Sequence, residues 1–219
     1  MITHNIISTG SKGNAVVING NILIDCGVPF AALKPVHKDL RIVLLTHEHT
    51  DHFNGRTIKR LSREHPLLRF GCAEWLAGKL AELVPLRVID VYKIGQEYIY
   101  GKFSVEPLPL VHNVPNCGYV ISVGDYENPE RILYATDTNT MSHVEAPNYD
   151  LYLLEANYCE DEIRERIRAK MEIGAYCYEH DVLHNHLSKQ KADDWLYQNM
   201  GANSRYVYLH GHESVLKTG

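Results

Sequence analysis

Hydrophobic and polar positions along the chain change period several times, and each change predicts an element. The stretch "NAVVINGNILIDCG" (14–27) sets two short apolar runs around Asn19-Gly20. That dipeptide favours the left-handed backbone of a tight turn, so it predicts a β-hairpin. "RIVLLT" (41–46) is a continuous apolar run, as expected of a strand covered on both faces. "NGRTIKRLSRE" (54–64) then predicts a helix, "LLRFGC" (67–72) a strand, and "AEWLAGKLAELV" (73–84), rich in good helix formers, a second helix. A strand-rich stretch follows through "RVIDVY", "QEYIY", "KFSVEPLPLV" and "YVISVG". "RILYATD" and "DLYLLEAN" predict buried strands, "EDEIRERIRAK" and "KQKADDWLYQNM" helices, and "RYVYLH" a last strand. Strands first, then alternating strands and helices, predict a layered α/β fold. There is no internal repeat and no low-complexity linker, so the expectation is a single domain over 1–219.

Composition narrows the function classes. The 219 residues suffice for one sizeable core. With 45% hydrophobic and 22% charged residues, the chain reads as an ordinary globular protein. A formal net charge of −5 does not indicate a globally basic nucleic-acid binder, though it leaves room for a local basic patch. The five cysteines form no C-x-x-C pair and are odd in number, which predicts structural thiols in a reducing compartment. The start "MITHNIISTG" has no basic and apolar leader pattern, and no apolar run is long enough to span a bilayer. The expected location is the cytoplasm, with no membrane partner.

Histidine is the unusual component, with 13 copies. "THEHTDH" (46–52) packs three of them and an aspartate directly behind the apolar run "IVLL". A zinc-protease helix would need a histidine four positions after His47, but Asp51 stands there. An extended loop suits the spacing better. Residues two apart point the same way in extended backbone, so His47 and His49 can grip one ion, leaving Asp51 and His52 for another. Imidazole and carboxylate both suit zinc and related first-row metals.

This motif resembles the H-x-H-x-D-H signature of the metallo-β-lactamase superfamily, and other segments match in order. "ILIDCG" resembles the early strand whose aspartate, here Asp25, packs beneath the metal loop. "PLPLVHNVPNCGYVI" puts His112 in the place of the next ligand, and "ILYATDTN" puts Asp137 in the place of the bridging carboxylate. "STGSKGNAVVI", "YDLYLLEANY" and "HNHLS" resemble the WalJ-like metallohydrolases, a subgroup that includes nucleases acting on DNA. The chain departs from that subgroup at Asn113 and Tyr158.

The resemblance implies a metallo-β-lactamase-type αββα four-layer sandwich with two divalent metal ions, Zn2+ or Mn2+. It implies that His47, His49 and His112 hold one ion, that Asp51, His52 and His210 hold the other, and that Asp137 bridges them. His210 follows "RYVYL" directly, while His212, two residues on, is the alternative. Asp51 is also implied to orient the nucleophile. His186, in "HNHLS", would be a catalytic histidine outside the metal set, oriented by Glu155 of "LLEAN"; alternatively, it merely caps the helix that starts near Ser188.

The fold does not choose a substrate, because the superfamily hydrolyses β-lactams, thioesters, lactones and phosphodiesters. The subgroup resemblance and Asp51 favour a phosphodiesterase with DNA as partner and substrate. So does a basic stripe of Arg56, Lys59, Arg60 and Arg63 at i, i+3, i+4 and i+7 of the helix behind the metal loop, with Ile58 and Leu61 on another face. Such a stripe is by itself also an ordinary solvated face. A small-molecule hydrolase, cleaving a cyclic phosphodiester or a thioester, is the second reading. A non-catalytic binding module is the third, and the complete ligand set argues against it.

Overall fold

A computed structural model describes residues 1–125 and 127–211. The strands are β1 (His4–Ser8), β2 (Ala15–Ile18), β3 (Ile22–Ile24), β4 (Ile42–Leu45), β5 (Arg69–Ala73), β6 (Ile89–Tyr92), β7 (Tyr98–Ile99), β8 (Phe103–Leu110), β9 (Asn116–Gly124), β10 (Pro129–Ala135), β11 (Leu151–Glu155) and β12 (Arg205–Leu209). The helices are α1 (Phe30–Leu33), α2 (Gly55–Glu64), α3 (Glu74–Ala81), α4 (Glu160–Glu172), α5 (Glu179–Asn185) and α6 (Lys189–Asn199). They accompany two six-stranded sheets, one in the order β1-β2-β3-β4-β5-β6, the other β12-β11-β10-β9-β8-β7. Both sheets contain parallel and antiparallel pairs, so the α/β class expected from the sequence is the one that forms. Backbone contacts divide the chain into two compact units, Met1–Pro107 with Val123–Glu130, and Leu108–Ser122 with Arg131–Gly219.

In the first unit, the Asn19-Gly20 hairpin joins β2 and β3 antiparallel, with φ of +48° and +71° at its two central residues. Both positive angles are what the predicted turn requires. From β3 to β6 the pairing is parallel, so the chain must cross over between strands, and α2 and α3 supply two of those crossings. Every residue of β3 and β4 is buried, as continuous apolar runs demand. The Asn54 side chain caps α2 by accepting from Thr57 N, which stabilises such a helix by about 1 kcal/mol. Ile58 and Leu61 are buried in a core with Val43, Leu45, Phe70 and Leu76. Each such side chain contributes roughly 1.5–3 kcal/mol by leaving water.

Predicted boundaries shift between α3 and β6, and two unpredicted elements form. The second predicted helix stops at Ala81, short of Pro85, and Leu86–Val88 form a 3-10 turn. The N-terminal strand β1 and the four-residue α1 form where no element was expected.

In the second unit, β10, β11 and β12 are parallel neighbours, so their C-terminal ends lie side by side. Leu133, Ala135, Tyr152 and Leu154 pack with Leu187, Ala192, Trp195 and Leu196 into a separate core. Ser188 caps α6 by accepting from Lys191 N. The predicted helix behind "EAN" forms as α4, and a second helix, α5, was not expected. Among the described residues no helix is long and apolar enough to cross a membrane.

Candidate metal-binding site

The first unit presents its candidate residues where β3 and β4 end. Asp25 follows β3 directly, and its backbone N donates to Leu44 O of the neighbouring strand at 2.8 Å. Its side chain is fully buried. Oδ1 accepts from Thr46 N at 3.0 Å and Thr46 Oγ1 at 2.9 Å, and Oδ2 lies 2.7 Å from His52 Nδ1. Thr46 Oγ1 in turn lies 3.0 Å from His47 Nδ1. One buried carboxylate therefore fixes the Nδ1 side of His52 directly and of His47 through Thr46, leaving each ring's Nε2 on the far side. A hydrogen bond at one ring nitrogen selects the tautomer and makes the other nitrogen available as a ligand.

His47 Nε2 and His49 Nδ1 are 3.1 Å apart. Two nitrogens each about 2.0–2.1 Å from a tetrahedral zinc would sit roughly 3.3 Å apart, so the pair fits one ion. Asp51 Oδ2 lies 3.7 Å from His52 Nε2. Glu48, between the two histidines, is drawn away to Lys79 of α3. His52 Nε2 also lies 2.8 Å from Asn14 Nδ2, so its use as a ligand requires that amide to yield. Gly27 allows the whole loop to sit close. A Cβ there would stand 1.6 Å from Asp51 O, so no other residue fits without moving the backbone.

The second unit gathers Asp137, Glu155, His186 and His210, with one potential ligand atom from each within 4.8 Å of the others. Asp137 lies just beyond β10, Glu155 ends β11, and His210 follows β12, so three parallel strands deliver three side chains to one edge. His186 is the C-cap of α5. It reaches the same edge because Asn157 N bonds Leu187 O and Tyr158 pairs with Ser188, which ties the α5–α6 connection to the end of β11.

Glu155 is fully buried; its Oε1 lies 2.6 Å from His186 Nδ1 and 3.2 Å from His210 Nδ1, and its Oε2 accepts from Thr138 N at 2.9 Å. Burial alone would raise this carboxyl's pKa, but the bonds from His186 and His210 outweigh it and hold the group below the ordinary carboxylate range. Glu155 thus serves as an anionic anchor for two imidazoles. His112 Nδ1 faces Asn185 O at 3.1 Å, which turns its Nε2 toward Asp137 Oδ1 at 3.9 Å.

The basic stripe is exposed on α2, and its four members are not equivalent. Arg60 donates to Glu64 at 2.7 Å and stacks 4.1 Å over the Phe30 ring. His212 lies outside the described residues. Sequence reasoning missed the supporting residues Thr46, Thr138, Asn14, Asn116 and Asn157. All five stand inside quoted motifs, but nothing in the sequence says what they hold.

A family profile described as "Beta-lactamase superfamily domain" matches residues 20–209. The exodeoxyribonuclease WalJ of Streptococcus pneumoniae is 24% identical, with the match covering 96% of this chain and 81% of that protein. Among solved structures, the metallo-beta-lactamase fold protein YhfI from Bacillus subtilis superposes with a TM-score of 0.70 at 15% identity, covering 96% of this chain and 86% of the other. Human tRNase Z, short form, gives 0.68 at 16% identity, covering 98% and 93%. At these identities the structural likeness shows the fold alone. The profile match extends over most of the chain, and so the chain belongs to the beta-lactamase superfamily, as a hydrolase of the metallo-beta-lactamase fold.

Proposed function

We propose that the protein is a two-metal phosphodiesterase that degrades DNA. The observation that carries this reading is the buried Glu155 bonded to His186 Nδ1 beside Asp137 and His210. Hydrolysis of a phosphodiester expels an alkoxide, which leaves poorly unless it is protonated. An imidazole held at Nδ1 by a buried carboxylate keeps its Nε2 side for that proton. The relative named as an exodeoxyribonuclease supports DNA over RNA. The profile match extends through both units, which supports treating 1–219 as one functional domain.

In this reading His47, His49 and His112 would hold one divalent cation, Asp51, His52 and His210 would hold a second, and Asp137 would serve both. Zinc or manganese suits these nitrogen and carboxylate donors. Bound cations of this kind lower the pKa of water from ~15.7 toward ~7 and screen the phosphate's charge. Asp51 would orient the attacking water, whose proton is lost to solvent as it attacks. As the new P–O bond forms and the bond to the leaving oxygen breaks, His186 gives its Nε2 proton to that oxygen, and Glu155 balances the imidazolium beforehand. Exposed Arg56, Lys59 and Arg63 track the DNA backbone. A cytoplasmic location suits the five unpaired cysteines.

The test is a panel of linear DNA, RNA, bis-p-nitrophenyl phosphate and a thioester, each offered with zinc, manganese and magnesium. Release of nucleotides from DNA supports the reading. Turnover of the thioester or the small ester without cleavage of either polymer replaces it with a small-molecule hydrolase.

A further inference from the structure

We propose that Asn116 and Asn157 are positioning residues, which lock the backbones of Asp137 and His210 in left-handed turns and so aim both side chains at the metal ions. The proposal rests on the metal-binding reading above. Five described non-glycine residues have positive φ. Two are Asn19 and Asn148, the residue type that tolerates this conformation best. The other three are Asp25, Asp137 and His210, at +59°, +58° and +55°. Each stands just past the C-terminal end of a strand in a parallel pair. A left-handed backbone is unfavourable for residues with a Cβ and persists where the surroundings over-determine it.

The surroundings at Asp137 and His210 are asparagine amides. Asn116 is buried, and its Nδ2 donates to Thr136 O at 3.0 Å and to Asp137 O at 2.7 Å. Successive carbonyls of an extended strand point in opposite directions. One amide can take two in a row only if the residue between them is turned, so Asn116 selects the turned form of Asp137. At His210 the same task is shared. Ala156 N donates to Leu209 O at 3.0 Å, and Asn157 Nδ2 donates to His210 O at 2.9 Å. Two successive carbonyls again meet donors from one neighbouring segment. Without these grips the chain relaxes toward extended backbone and swings both side chains off the strand edge.

The test measures cobalt(II) binding by chelator competition, together with the visible spectrum of the bound ion. The variants are Asn116→Ala, Asn157→Ala and the control Asn199→Ala. Asn199 also bridges backbone groups, taking Ala146 N at 3.0 Å and donating to Trp195 O at 2.9 Å, but it holds no candidate ligand. The expected result is a cobalt affinity about tenfold weaker and an altered spectrum in both clamp variants, as for loss of one hydrogen bond. Asn199→Ala should lower thermal stability and leave affinity and spectrum unchanged. If burial makes Asn116→Ala unfold, Asn157→Ala, at a partly exposed position, carries the test alone. Wild-type affinity and spectrum in the clamp variants, or equal losses in Asn199→Ala, overturn the positioning role and leave the metal reading intact. A wild-type protein that binds no cobalt overturns both.

Discussion

Glu155 Oε1 lies 2.6 Å from His186 Nδ1 and 3.2 Å from His210 Nδ1, so one buried oxygen serves a proposed proton donor and a proposed metal ligand. The two roles separate by mutation. His186→Ala should keep its metal and lose turnover by ~10²–10⁴, because a proton donor acts in the transition state. Glu155→Gln should lose turnover and also bind metal ~10–100-fold more weakly, since the carboxylate behind a ligand histidine supports its basicity and orientation. Metal content by elemental analysis, read beside turnover, checks this. Loss of metal from His186→Ala would make that residue a ligand.

Asp25 anchors the first unit's histidines as Glu155 anchors those of the second. Asp25→Ala would leave Thr46 N, Thr46 Oγ1 and His52 Nδ1 buried without their acceptor. At about 1–3 kcal/mol for each such group, and less than additively, the expected loss is about 3 kcal/mol or more of folding stability. Urea unfolding of the metal-free proteins measures it. A loss below 1 kcal/mol would mean the loop holds its histidines by other means.

The basic stripe should act through three side chains. Arg60 is engaged by Glu64 and Phe30, so Arg60→Gln should change DNA cleavage little. Arg56, Lys59 and Arg63 changed together to Gln should weaken it and flatten its salt dependence by roughly 0.9 in log–log slope per lost phosphate contact on duplex DNA. Hydrolysis of bis-p-nitrophenyl phosphate should stay near wild type. A triple variant that degrades DNA like wild type at every salt concentration would reduce the stripe to a solvated face.

The thiols should be unreactive. Burial, with Asp90 nearby, pushes the Cys72 thiol up to about 12, and burial beside Asp25 raises Cys26 still more. A thiol far below its pKa carries almost no thiolate. Iodoacetamide at pH 8 should therefore spare Cys26, Cys72 and the buried Cys117 in the folded protein, and modify the partly exposed Cys159 and Cys177 slowly. Mass spectrometry of timed samples checks it. Rapid labelling of Cys26 or Cys72 would show that the cores around β3 and β5 open readily.

The elements legible in the sequence are those whose own pattern specifies burial. "IVLL" is apolar throughout and "LYLLE" is apolar up to its closing Glu155, and both are fully buried as β4 and β11. α5 was missed because it is seven residues long and Glu179 is its single buried residue, so no apolar stripe marks it. β1 was missed because it is only partly buried, in a strand too irregular to alternate. At the site, the local motif 46–52 was readable because its spacing carries the chemistry. The Glu155–His210 and Asn157–His210 bonds link residues more than fifty positions apart and depend on strand order, which no local pattern encodes. The left-handed turns at Asp137 and His210 escape a local pattern for a similar reason: in the proposal above, amides of Asn116 and Asn157, distant in sequence, hold their carbonyls.

The most direct test of the central claim is nucleotide release from linear DNA by the protein stripped of metal with a chelator, then titrated with zinc or manganese. The account predicts no hydrolysis by the stripped protein and recovery that saturates near two equivalents of metal. DNA hydrolysis by the stripped protein, or none at any metal loading, would contradict it.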